Sequence, residues 1–138
     1  MFSTKNREPL ILSDWSSRLY EYIGGIARAK NCVLISANGM PDHVHLLVSL
    51  CKQICVSDII RDIKSNSSHW IHETFDHLRG FAWQSGYGAF AVSYSNIDSL
   101  RKYIKDQQEH HRVRTFQEEF IMFLKRHRME YDERYIWD

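Results

Sequence analysis

The sequence predicts an α+β domain: a split βαβ antiparallel sheet of the ferredoxin-like type, with helices on one face and an added C-terminal helix that carries a tyrosine. Three observations predict it. Candidate segments follow one another as strand, helix, strand, strand, helix, strand. The two middle strands are separated by a tight-turn signal, and further helical patterning follows the last strand. With 138 residues the chain suffices for one domain, residues 1–138, with a real core. No repeat, low-complexity stretch or Gly-, Pro- or Ser-rich linker divides it.

Each element has its own signal. The opening stretch Phe2-Ser3-Thr4-Lys5-Asn6-Arg7 is short and extended. Ser13 is the predicted cap of a helix through about Lys30, with Trp15, Leu19, Tyr22 and Ile26 on its inner stripe and Asn31 at its end. Cys32 to Ala37 reads as a strand, Asn38-Gly39 as a turn, and His43 to Leu50 as the hairpin partner. Ser57 to about Leu78 reads as a second helix, apolar at Ile59, Ile60, Ile63, Trp70, Ile71, Phe75 and Leu78. Tyr87 to Tyr94 reads as a strand with Phe90, Val92 and Tyr94 turned inward. Ser95 then starts a helix with Asp98 three residues on, buried along Ile97, Leu100 and Ile104. Thr115-Phe116-Gln117-Glu118 is a capping box that opens a last helix packed by Phe116, Phe120, Phe123 and Leu124.

Composition narrows the function classes. No run of about 18 apolar residues occurs, which leaves no membrane-spanning candidate. No charged start leads into an apolar segment, so a signal peptide is not expected and a cytoplasmic location is. Three cysteines, Cys32, Cys51 and Cys55, suit a reducing compartment. Cys51 and Cys55 lack the usual zinc spacing and read as ordinary thiols. A formal net charge of +1 excludes a blanket polyanion binder, so any nucleic-acid affinity must come from local clusters.

The chemistry-bearing stretch is His43-Val44-His45. Alternate side chains of a strand share a face, so Val44, Leu46, Val48 and Leu50 form an apolar face and the two imidazoles project together from the other. Paired imidazoles supply two ligands of a metal site; the plain alternative is two polar residues on a solvated face. Tyr103 and Gln107, four residues apart, stack on one helical face, where the tyrosine either meets a phosphate or merely covers the stripe.

Together these residues resemble the HUH-type single-strand tyrosine transposases of the IS200-like family, which include the REP-associated tyrosine transposases. His43-Val44-His45 is similar to the family's His-hydrophobic-His motif, and Tyr103 with Gln107 to its Tyr-x-x-x-Gln motif. Phe2-Ser3-Thr4-Lys5-Asn6-Arg7, Trp83-Gln84-Ser85-Gly86-Tyr87-Gly88-Ala89-Phe90 and Tyr131-Asp132-Glu133-Arg134-Tyr135 extend the likeness along nearly the whole chain. One departure stands out: in the family a strand precedes and includes the first of these stretches, and here Met1 falls almost at its end, so the first strand looks truncated.

The resemblance implies a transposase that cuts and rejoins single-stranded DNA through a 5′-phosphotyrosine intermediate. Tyr103 is then the nucleophile, and His43, His45 and Gln107 hold the metal. Two imidazoles and an amide oxygen suit Mg²⁺ or Mn²⁺, the latter binding tighter. His110, seven residues past Tyr103, is a possible auxiliary for proton transfer or phosphate contact, or a surface residue. Arg61, Lys64, Ser65, Ser68 and His72 cluster on one face of the second helix and suit a DNA backbone or a solvated face, with Lys102 a weaker candidate. The resemblance further implies single-stranded DNA with hairpin ends as the partner, nucleoid association when bound, and a homodimer whose sites are completed in trans. The rival readings are a catalytically silent single-strand DNA or RNA-binding module, and a replication-initiator or relaxase-like nuclease. The closing Tyr131 to Trp137 segment is expected to dock onto the domain.

Overall fold

The computed structural model describes residues 1–111 and 114–137, with the side chains of His110 and His111 outside the described set. The fold is α+β. A three-stranded antiparallel sheet of order β1-β3-β2 is formed by β1 (Phe2–Ser3), β2 (Val33–Met40) and β3 (His43–Ser49). Among the described residues the α-helices follow the chain as α1 (Ser16–Ala29), α2 (Val56–Thr74), α3 (Ile97–Lys105), α4 (Gln107–His111) and α5 (Phe116–Arg126).

The β2–β3 hairpin differs from the expected one in where it turns. Asn38 and Gly39 lie inside β2, paired with His45 and Val44, and the reversal falls on Pro41-Asp42. Proline presets the turn's φ and aspartate favours turns, which outweighs the Asn-Gly signal. Gly39 is needed for another reason: a Cβ there would collide with the backbone of His43 and Val44 across the ladder.

The helix ends shift too. α1 begins after a turn at residues 13–15, with Trp15 rather than Ser13 at its cap. α2 stops at Thr74; Phe75 is extended, and Asp76–Leu78 forms a separate 3₁₀ turn. A 3₁₀ turn at Tyr94–Asn96 precedes α3, whose cap is Asn96 instead of Ser95.

α1 and α2 cover one face of the sheet. Phe2, Leu19, Ile23, Val44, Ile63 and Ile71 are fully buried there, and partly buried Tyr22 stacks on Trp70. Val44, Leu46 and Val48 of β3 join this core, as the alternation predicts. α3 packs on the opposite face, against β2 and β3. A smaller cluster of Phe116, Phe120 and Leu124 gathers Phe90, Tyr131, Ile136 and Trp137, so the closing segment docks on α5.

Residues 87–94 do not form the expected strand. The segment before them runs beside the start of the chain instead: Thr4 bridges Trp83, Gln84 N–H donates to Ser3 O, and Gly88 N–H donates to Met1 O. β1 offers a two-residue ladder, so pairing stops at Gly88 and the alternating sequence beyond has no strand to join among the described residues.

Candidate active site

β3 places His43, His45 and Leu47 on the face opposite the core, and α3 and α5 close over it. The solvated-face reading therefore fails: His43 is 0% and His45 5% exposed. Phe116 of α5 lies 4.8 Å from the His43 ring, and Phe123 lies 6.3 Å from His45. The two imidazole centroids are 5.3 Å apart. Asp42 at the hairpin turn meets His43 Nδ1 at 2.7 Å; a carboxylate in that position fixes the ring and makes Nε2 the ligating nitrogen.

The tyrosine helix comes to these histidines within one chain. The Tyr103 ring lies 6.4 Å from His45, and Asn38 of β2 ties down the end of α3 by donating to Lys105 O at 2.9 Å. Completion of the site in trans is not needed to bring these side chains together. Tyr103 and Gln107 do not share one continuous helix, because α3 ends at Lys105 and Gln107 opens α4. Gln107 still folds back, its Nε2 donating to Tyr103 O at 3.4 Å. It is fully buried, and its Oε1 has no hydrogen-bond partner among the described residues. A buried amide oxygen in that condition is costly unless something binds it.

One member was not foreseen from the sequence. Glu119 of α5 is fully buried between the nucleophile candidate and the imidazoles. Tyr103 O–H donates to its Oε2 at 2.7 Å, and its Oε1 lies 2.5 Å from His45 Nε2. The second contact sets a carboxylate oxygen directly against an imidazole nitrogen. His43, His45 and Glu119 offer ligand atoms within 4.8 Å of one another. A signal existed: Glu119 falls three residues after Phe116 and four before Phe123, a carboxylate on an otherwise apolar stripe.

The electrostatics suit a cation site. Burial lowers the His45 pKa to about 4, against the opposing pull of Glu119, so the imidazole is neutral and ligand-ready at neutral pH. Burial first, and the Glu119 carboxylate second, push Tyr103 well above its ordinary value of 10. A phenol so placed stays protonated at neutral pH. His43, His45 and Glu119 make a donor set that fits a divalent cation.

The sequence-predicted DNA contacts lie elsewhere. Arg61, Lys64, Ser65, Ser68 and His72 of α2 line one surface groove with Trp83, Gln84 and Tyr87. Exposed Arg61 pairs with Asp58 and Asp62. Lys64 is turned inward: its Nζ donates to Gln84 O, Ser85 O and Gly86 O at 2.9, 3.3 and 2.6 Å, and burial lowers its pKa to about 8. His72 Nε2 is likewise occupied by Phe81 O at 2.7 Å. Lys102 is exposed on α3, outside this groove, and the His110 side chain lies outside the described residues. Cys51 and Cys55 join no ligand cluster among the described residues. No helix among them is long and apolar enough to cross a membrane.

Comparison with known proteins places the chain in a family. The family described as "Transposase IS200 like" matches residues 1–107, the stretch that ends on Gln107. The ISDra2 transposase TnpA of Deinococcus radiodurans is 25% identical over 114 residues, which cover 79% of this chain and 81% of that protein. A crystal structure assigned as a transposase of Deinococcus radiodurans R1 is similar with a TM-score of 0.63 and 26% identity, covering 77% of this chain and 85% of that one. With the family matched over most of its length, and the histidine pair and the tyrosine inside the matched stretch, this chain belongs to the IS200-like transposase family.

Proposed function

We propose that this transposase cuts and rejoins single-stranded DNA through a covalent tyrosine link, with a divalent cation at the histidine pair. The observation that carries this reading is the convergence of Tyr103 Oη on a buried group of cation ligands. His43 and His45 on rigid β3, with buried oxygen donors from Gln107 and Glu119, would hold Mn²⁺ or Mg²⁺. Bound there, the ion would polarise the scissile phosphate and offset its developing charge.

The chain's own residues do the rest. Asp42 fixes the His43 ring, and the tie from Asn38 to Lys105 O sets the reach of α3. Tyr103 attacks phosphorus, leaving a 5′-phosphotyrosine and a free 3′-hydroxyl. A second strand's 3′-hydroxyl reverses the step, so joining needs no nucleotide cofactor. The α2 groove, with Arg61, Ser65 and Ser68 outermost, is the reading's backbone-binding surface for hairpin-bearing strands, and Lys64 there shapes the groove wall rather than its charge. A homodimer whose sites are completed in trans belongs to the proposal, the partner's tyrosine helix taking the place that this chain's own helix takes here.

The test mixes protein, Mn²⁺ and a 3′-labelled hairpin-bearing strand and resolves the products on a denaturing gel. A covalent adduct, absent in Tyr103→Phe and in His45→Ala while both variants still bind the strand, is the expected result. Strand binding without any adduct from the wild type makes the protein a silent binder.

A further inference from the structure

α5 lies beyond the stretch matched by the family, yet it delivers a fully buried carboxylate to the centre of the site. The delivery is well anchored. Thr115 and Glu118 close a capping box at the start of α5, with contacts of 3.2 and 3.0 Å. Phe116, the first residue of α5, lies on His43, and two turns further on Phe123 lies 5.9 Å from the Tyr103 ring. Glu119 is held between them with one oxygen toward each side of the site: Oε1 beside His45 Nε2, Oε2 accepting from Tyr103 Oη. Burying a carboxylate is expensive, and a group placed this way earns its position by binding a cation, a reacting hydroxyl or both.

The geometry points to Glu119 as a bridging residue: one carboxylate oxygen joins His43 and His45 in holding the cation, and the other orients Tyr103 and takes its proton during attack. This rests on the function proposed above and adds to it a second role for Glu119, that of orienting Tyr103 and accepting its proton. In the step, the Tyr103 Oη–P bond forms and the P–O3′ bond breaks. The phenolic proton passes to Glu119 Oε2, and the departing 3′-oxygen takes a proton from solvent. Rejoining returns the proton from Glu119 to Tyr103 as the phosphotyrosine bond breaks, while the attacking 3′-hydroxyl forms the new P–O3′ bond and gives its proton to solvent. No oxidant or reductant enters.

The test compares wild type with Glu119→Gln, which keeps size and an acceptor for Tyr103, and with Glu119→Asp, which keeps charge and shortens reach; Glu130→Gln, exposed on the chain after α5, is the control. Mn²⁺ affinity is measured by calorimetry on DNA-free protein, and adduct formation in a single turnover at saturating Mn²⁺. Glu119→Gln is expected to weaken Mn²⁺ binding about 10-fold or more and to slow adduct formation at saturating Mn²⁺ by about 100-fold. Strand affinity stays as in wild type, and Glu119→Asp recovers part of both losses. Unchanged Mn²⁺ affinity overturns the proposal, and so does an unchanged or faster single-turnover rate, the latter making Glu119 a plug that substrate must displace. The Mn²⁺ titration needs no DNA, so a wild type that binds Mn²⁺ through Glu119 yet forms no adduct would fail the proposed function and not the ligand assignment.

Discussion

His45 should make this protein acid-labile in a way that one substitution removes. Unfolded, its imidazole titrates near 6.5; folded, burial holds it near 4. Between those values the unfolded chain carries a proton that the folded chain refuses, so stability is full above the unfolded pKa and falls as the pH drops. The whole window is worth about 3 kcal/mol, and about 2 kcal/mol of it is lost between pH 7 and pH 5. His45 is nearly inaccessible, so solvent screening takes little from this figure. Urea denaturation at the two pH values, on wild type and on His45→Gln, isolates the effect, because the remaining histidines and carboxylates are common to both. The variant is expected to show a pH dependence smaller by about 2 kcal/mol. Equal pH dependence in the two proteins would refute the reasoning. Greater stability of the wild type at pH 5 would do so more sharply, since it would mean that protonated His45 pairs with Glu119 strongly enough to outweigh burial.

Other consequences are more local. Lys64→Met leaves three carbonyls of residues 84–86 without their ammonium and is expected to cost about 2 kcal/mol in urea denaturation, whereas a free phosphate-binding lysine would cost nothing. Arg61→Ala, on the same helix, should leave stability unchanged and lower the salt dependence of strand binding by about one ion. Gly39→Ala drives a methyl group into the backbone of His43 and Val44 and should cost about 2 kcal/mol in thermal or urea unfolding. Mn²⁺ at about a hundred times its Kd should stabilise the fold by about 2.7 kcal/mol in a thermal melt, and His43→Ala should abolish the increment.

How much of this was legible in the sequence depends on how local each signal was. The histidine pair and its facing alternate with Val44 over three residues, and period-two patterning found them. Tyr103 was placed by the Ile97, Leu100 and Ile104 stripe, which does pack on the sheet. The break at Asp106 between Tyr103 and Gln107 was not visible, because the helical pattern runs through it. The strand at 87–94 failed for a tertiary reason: its alternation was real, but pairing needs a longer β1 than this one. Lys64 read as a free cation because sequence shows which face a residue takes and not which carbonyls it meets. Glu119 is hard to single out in the sequence because phenylalanines dominate its stripe, and a lone carboxylate among them carries no periodic signal of its own.

The most direct measurement is peptide mapping of the protein after reaction with a hairpin-bearing single strand and Mn²⁺. The account predicts a nucleotide 5′-phosphate on the peptide containing Tyr103, a free 3′-hydroxyl on the released fragment, and neither product when His45 is alanine. A phosphotyrosine at any other position, or strand scission that persists in Tyr103→Phe, would contradict it.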